Sequence, residues 1–183
     1  MKKVVLLGDS IRLIGYGSKV KELLGEDYDV FNPDDNCRFI KYTLRFIFDY
    51  YDQIKDADII HWNNGLWDIC RLHDDGLPFT SIEEYVENIL RVAKILKNIT
   101  PNVIFATTTP VRYENIYNRN EDIDHYNEII IPKLKELGII INDLGSLLKT
   151  DIYKYITDDN IHLSLDGIDV CSKEVIRYIK MFE

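Results

Sequence analysis

The sequence predicts an α/β protein built on a parallel sheet of about five strands. Short β-branched apolar runs alternate with longer amphipathic stretches, the pattern of a sheet covered by helices. The runs are apolar along their length rather than at every second residue, as suits strands buried on both faces. At 183 residues the chain is long enough for one full core and short for two. It carries no internal repeat, low-complexity tract or Pro/Gly/Ser-rich linker, so a single domain over 1–183 is expected.

The strands are expected at Val4–Leu7, Tyr28–Phe31, Asp58–Trp62, Val103–Thr107 and Ile139–Asn142. Helices are expected around Gly17–Leu24, Lys41–Ile54, Ile82–Asn98, Asp122–Leu137 and Leu165–Met181. The helix from Ile82 has the clearest signal. Ser81 and Glu84 form a capping box, and Ile82, Tyr85, Ile89, Val92, Ile95 and Leu96 make an apolar stripe. Pro101 and Gly138 punctuate the ends of the third and fourth helices. Ligands of open α/β sheets bind beyond the carboxyl ends of the strands. The loops opening at Gly8, Asn32, Asn63 and Thr108, with the segment before the final helix, are therefore the ones to inspect.

Composition excludes several classes. A net charge of -9 disfavours nucleic acid, whose phosphates want clustered Lys and Arg, and an anionic membrane surface. Cys37, Cys70 and Cys171 are odd in number and lack metal-ligand spacing, so they read as reduced thiols. No His/Cys/carboxylate cluster suits a metal, and Gly15-Tyr16-Gly17 lacks the third glycine of a dinucleotide loop. Met1-Lys2-Lys3 is basic, but Gly8-Asp9 interrupts the apolar run that a leader needs. A cytoplasmic protein without cofactor is expected. His73 and His125 read as surface residues, and His61 as a hydrogen-bonded core residue on its strand. Tyr16 and Tyr113 are candidates to line a pocket.

Two segments carry the chemistry. Gly8-Asp9-Ser10 directly follows the first strand, where a turn into helix exposes a hydroxyl and directs backbone N–H groups at a developing oxyanion. Asp159-Asn160-Ile161-His162 precedes the last helix, with the acid three residues ahead of the imidazole. A serine hydroxyl needs a base, and the base needs a carboxylate to fix its tautomer. After the third strand, Trp62-Asn63-Asn64-Gly65-Leu66-Trp67-Asp68 offers amide donors and a glycine turn. After the second comes the polar loop Asn32-Pro33-Asp34-Asp35-Asn36-Cys37-Arg38.

Together these segments resemble the blocks of the SGNH hydrolase superfamily, the GDSL-type esterases and lipases. Gly8-Asp9-Ser10 matches the first block and Asp159-x-x-His162 the last. Thr109-Pro110-Val111, Asp122-Ile123, Tyr126-Asn127 and Asn142-Asp143-Leu144 are weaker matches between them. The resemblance implies a flavodoxin-like three-layer α/β/α sandwich and ester hydrolysis without a metal. Ser10 would be the nucleophile, His162 the base and Asp159 its orienter. The oxyanion hole would be the N–H groups of Ser10 and Cys37 with the amide of Asn63, Asn64 being second choice. The middle blocks depart from the family. Cys37 stands where members carry glycine, and an ungapped match puts Trp67 at the usual asparagine.

The expected partner is a small-molecule ester, with short acyl chains such as acetyl groups on carbohydrate favoured by a compact chain without a lid insertion. Two other readings compete. One is a non-catalytic α/β module that binds a small ligand or partner; the other is a receiver-like regulator with Asp9 as phosphoacceptor.

Overall fold

A computed structural model describes residues 1–183. Five strands form one all-parallel sheet: β1 (Lys2–Leu7), β2 (Tyr28–Phe31), β3 (Ile59–Asn63), β4 (Val103–Ala106) and β5 (Ile140–Asn142). Their order is β2-β1-β3-β4-β5, the flavodoxin-like arrangement. Its crossovers reverse direction between β1 and β3, leaving a crevice at their carboxyl ends. In register, Leu7 pairs with Trp62, so Gly8 and Asn63 stand side by side at the carboxyl edge of the sheet. β3 is buried at every position and β4 likewise, which explains their unbroken apolar character.

Helices cover both faces. α1 (Gly17–Leu24) and α9 (Leu165–Ile179) pack together on one, while α2 (Ile40–Asp49), α5 (Ile82–Ile99) and α6 (Asn120–Glu136) cover the other. A continuous apolar cluster joins the layers, with Trp62 edge-on to Phe105 at 4.8 Å near its centre. Ser81 caps α5 as expected, its hydroxyl accepting the Glu84 N–H at 3.3 Å. Short helices α4 (Leu66–Ile69), α7 (Leu144–Lys149) and α8 (Ile152–Tyr155) complete the fold.

The helix expected over Lys41–Ile54 is two helices, because Tyr50 leaves helical geometry (φ -105°, ψ 19°) and a separate turn, α3 (Tyr51–Ile54), follows. Tyr50 stacks on Phe46 at 4.3 Å, which holds the break. The three cysteines are free and buried. No helix is long and apolar enough to cross a membrane.

Candidate active site

Ser10 ends the crevice side of β1 and starts a π-helical turn, Ile11–Tyr16, kinked at Gly15. Such turns are rare and concentrate at functional positions. Asp9, fully buried, shapes the turn from within. One carboxylate oxygen accepts the Ile11 N–H at 3.0 Å and the Asn63 amide at 2.8 Å. Burial raises the Asp9 pKa, opposed by those hydrogen bonds and by Arg12. The Ser10 N–H has no acceptor within the protein, so it remains available beside the hydroxyl.

At the other end of the chain, Ile156 and Leu163 form an isolated antiparallel bridge that closes a tight turn. Thr157 donates its N–H to the His162 carbonyl at 2.8 Å. Asn160 takes the left-handed conformation (φ 73°) that asparagine tolerates better than most residues. The turn folds around Asp159. One oxygen accepts from the Thr157 hydroxyl (2.7 Å), the Ile161 N–H (3.0 Å) and the His162 N–H (2.9 Å). The other faces His162 Nδ1 at 2.7 Å. Desolvation works against the charge, but these donors outweigh it and hold the Asp159 carboxyl well below the usual range. With Nδ1–H directed at the carboxylate, Nε2 presents its lone pair to Ser10 Oγ at 3.0 Å. Arg112 secures the turn from behind. Its N–H donates to the Asn160 carbonyl and its Nε to the Ile156 carbonyl, at 3.0 and 2.9 Å.

Asn63 borders Ser10 through Asp9. Its oxygen accepts the Tyr16 hydroxyl at 2.9 Å, leaving one amide hydrogen uncommitted. Behind Tyr16, His61 Nδ1 lies 3.5 Å from the hydroxyl, and Asn142 donates to His61 Nε2 at 3.2 Å. Burial lowers the His61 pKa to about 3, so the ring is a neutral link in a buried chain that orients Asn63. Tyr16 is thus a core residue and lines no pocket, whereas Tyr113 is exposed and packs beside Tyr153. Gly8 permits the close approach. A Cβ there would fall 1.9 Å from Asn63 Oδ1.

Two expectations about donors change. Asn64 is tied into the core, donating to the Arg38 carbonyl and accepting from Trp62 and Thr43. Cys37 is no oxyanion donor in this geometry. Its N–H is committed to the Gly8 carbonyl at 3.1 Å, and its sulfur accepts the Gly8 N–H at 3.3 Å. The left-handed residue of that loop is Arg38 (φ 50°), one position later, and its N–H bonds Asn36. Burial pushes the Cys37 thiol up to about 12, so it stays protonated.

Arg12 is a functional support that the sequence does not announce among its apolar neighbours. It is fully buried and donates to Asn32 Oδ1 and to the carbonyls of Pro33, Gly8 and Asp35, pinning the β2–α2 loop against the serine turn. A single arginine between Ile11 and Leu13 was its only sequence signal. Asp68 was also missed. It is buried, receives Ile40 N–H at 3.0 Å and the Thr80 hydroxyl at 2.8 Å, and its pKa is raised to about 7 by desolvation. No group of three or more His, Cys, Asp or Glu side chains is arranged to hold a metal ion.

A flavodoxin-like sheet thus carries a serine, an imidazole and a carboxylate in hydrogen-bonded series at its switch point. No family model matches the chain. Sequence relatives do. The GDSL esterase/lipase WDL1 of Oryza sativa subsp. japonica is 27% identical, over 98% of this chain and 78% of the relative. The GDSL esterase/lipase CPRD49 of Arabidopsis thaliana is 28% identical, over 61% of this chain and 50% of the relative. Among solved structures, the acetyl xylan esterase Axe2 of Geobacillus stearothermophilus superposes with a TM-score of 0.77 at 18% identity, covering 97% of this chain and 94% of that one. A lipase/acylhydrolase of Enterococcus faecalis gives 0.78 at 18% identity, with 98% and 96% covered. At such identities the two structures speak for the fold. The chain is thus similar in sequence to GDSL esterases/lipases and in fold to carboxylic ester hydrolases.

Proposed function

We propose that the chain cleaves carboxylic esters through an acyl-enzyme on Ser10. Ser10 Oγ attacks the ester carbonyl carbon while its proton passes to His162 Nε2. Asp159 holds the ring in the required tautomer and stabilises the imidazolium. The Ser10 N–H and the uncommitted Asn63 amide hydrogen face the oxyanion. The carbon–oxygen bond to the alcohol then breaks, and His162 returns the proton to the leaving oxygen. A water activated by the same nitrogen attacks the acyl-enzyme and frees the acid, restoring the serine.

The observation that carries this reading is the unbroken series from Ser10 Oγ to His162 Nε2 (3.0 Å) and from Nδ1 to Asp159 (2.7 Å). Two Axe2 variants are described as catalytic mutants, one at an aspartate and one at a histidine three positions later. Asp159 and His162 share that spacing. Against the phosphoacceptor reading, Asp9 is buried and already engaged. The departures in the middle blocks favour the non-catalytic module only if the two remaining oxyanion donors do not suffice.

The test is fluorophosphonate labelling of the intact protein together with turnover of p-nitrophenyl butyrate. Stoichiometric labelling at Ser10, lost in His162→Ala, and turnover abolished in Ser10→Ala are expected. An unlabelled wild type, or a Ser10→Ala variant as active as wild type, would overturn the assignment.

A further inference from the structure

A recess opens directly beside Ser10, with a volume of about 220 Å³. Its wall is mostly hydrocarbon: Leu66 and Trp67 from α4, Cys70 and Leu72 from the following loop, Tyr117 across from them, and Ile161 next to the base. Two of its polar groups are spent on the protein. Cys70 Sγ donates to the Trp67 carbonyl at 3.0 Å, and the amide N–H of Asn118 goes to the Leu66 carbonyl at 2.9 Å. The Tyr117 hydroxyl keeps no protein partner, but Tyr117 is 50% exposed and forms part of the rim. A sugar entering here would lose water from its hydroxyls and find few partners, a cost of a few kcal/mol for each unpaired group by the usual transfer scales.

We propose that this recess is the subsite for a hydrocarbon arm of the ester, favouring arms of roughly four to eight carbons, or one aromatic ring, over acetyl. The inference rests on the ester-hydrolase reading above and narrows its substrate class away from the short-chain expectation. The size argument is direct. An apolar cavity of about 150 Å³ accommodates the six carbons of benzene, so this one takes a ring or a six-carbon chain with room left over. The floor is rigid, since Leu66 is buried and the 70–79 loop is clamped to α6 by a two-pronged Arg71–Asp122 pair at 2.9 Å. The rim is open, with Trp67 41% and Leu72 51% exposed. Each methylene therefore gains less than it would in a sealed core, about two- to fourfold in kcat/KM.

The acyl and the alcohol side of an ester can both supply such an arm, and two substrate series separate them. In one, the alcohol is fixed as p-nitrophenol and the acyl chain runs from two to ten carbons. In the other, acetate is fixed and the alcohol runs from ethyl to hexyl and benzyl. The expected result is that kcat/KM in one series climbs about two- to fourfold per methylene up to roughly six carbons, then levels. The climbing series identifies the arm. Leu72→Ser, at a half-exposed position that folding tolerates, is expected to lower the six-to-two-carbon ratio of that series severalfold. Acetates turned over while both series stay flat or decline would overturn this inference and leave the esterase reading standing. A slope unchanged in Leu72→Ser and in Trp67→Ala, with both variants melting as wild type does, would overturn it as well. No turnover of any ester would sink both.

Discussion

Asp159→Asn isolates the role of the carboxylate because the turn that carries it survives the change. In the wild type one oxygen of Asp159 gathers the Thr157 hydroxyl and two backbone N–H groups, and the other faces His162 Nδ1 at 2.7 Å. Asparagine keeps an oxygen for the three donors of the turn and sets an NH₂ group against Nδ1. The ring must then accept at Nδ1 and carry its proton on Nε2. A hydrogen would lie between Nε2 and Ser10 Oγ where a lone pair is needed, across the present 3.0 Å. The same tautomer reversal in serine proteases lowers kcat by about 10⁴, equivalent to about 5.5 kcal/mol of barrier. The assay is kcat on a p-nitrophenyl ester, with fluorophosphonate labelling rate and a thermal melt on the same preparation. Thr157→Val is the control: it removes one hydrogen bond to the carboxylate without reversing the tautomer, and a loss below about tenfold is expected. A kcat for Asp159→Asn within tenfold of wild type, with an unchanged melt, would refute the reasoning.

Gly8→Ala should cut kcat by about 10²–10³, because the new methyl would meet Asn63 Oδ1 at 1.9 Å and turn the amide away; a variant with normal kcat would show that Asn63 is dispensable. Arg12→Met removes four hydrogen bonds from a buried cation and strands their acceptors, so urea unfolding should register a loss of at least about 3 kcal/mol. A loss below about 1 kcal/mol would contradict that role. Asp68 makes a pH prediction. Its folded pKa of about 7 lies above the ordinary 3.8, so the folded protein holds this proton more tightly than the unfolded chain. The stability it contributes is present below about 3.8 and is lost as pH rises to about 7, on the order of 2–4 kcal/mol. Denaturant midpoints at pH 5 and pH 8 should differ more for wild type than for Asp68→Asn; equal differences would count against a buried, proton-retaining carboxyl.

The strands were legible because β1, β3 and β4 are buried on both faces and read as continuous apolar runs, and α5 because its cap and stripe agree. The convergence of Ser10 with the Asp159–His162 turn was legible from short motifs placed at the carboxyl edge of a parallel sheet. What escaped depends on contacts distant in sequence. The π-helical turn after Ser10 has no local signature, since it is shaped by Asp9 reaching Asn63 on another strand. Arg12 looks like an interruption of an apolar run until the β2–α2 loop closes over it. Cys37 lies in the polar loop after β2, as the sequence indicates, but the fate of its N–H is decided by the Gly8 carbonyl, 29 residues away. The weaker middle matches serve as scaffolding: Asn127 pairs with the backbone of Thr108, and Asp143 caps α7 and accepts from Thr107.

Ser10 and His162 lie 152 residues apart. One follows the first strand, and the other lies on the turn that leads into the last helix, α9. That helix is seated by Cys171, Val175 and Ile179, and Ser172 reaches back to the Tyr16 carbonyl. Under the proposed mechanism, docking of α9 is a precondition of chemistry, since it seats the turn that carries His162. Heat-inactivation and far-ultraviolet melting curves should therefore superimpose, making residual activity a practical gauge of how much of the population is fully assembled.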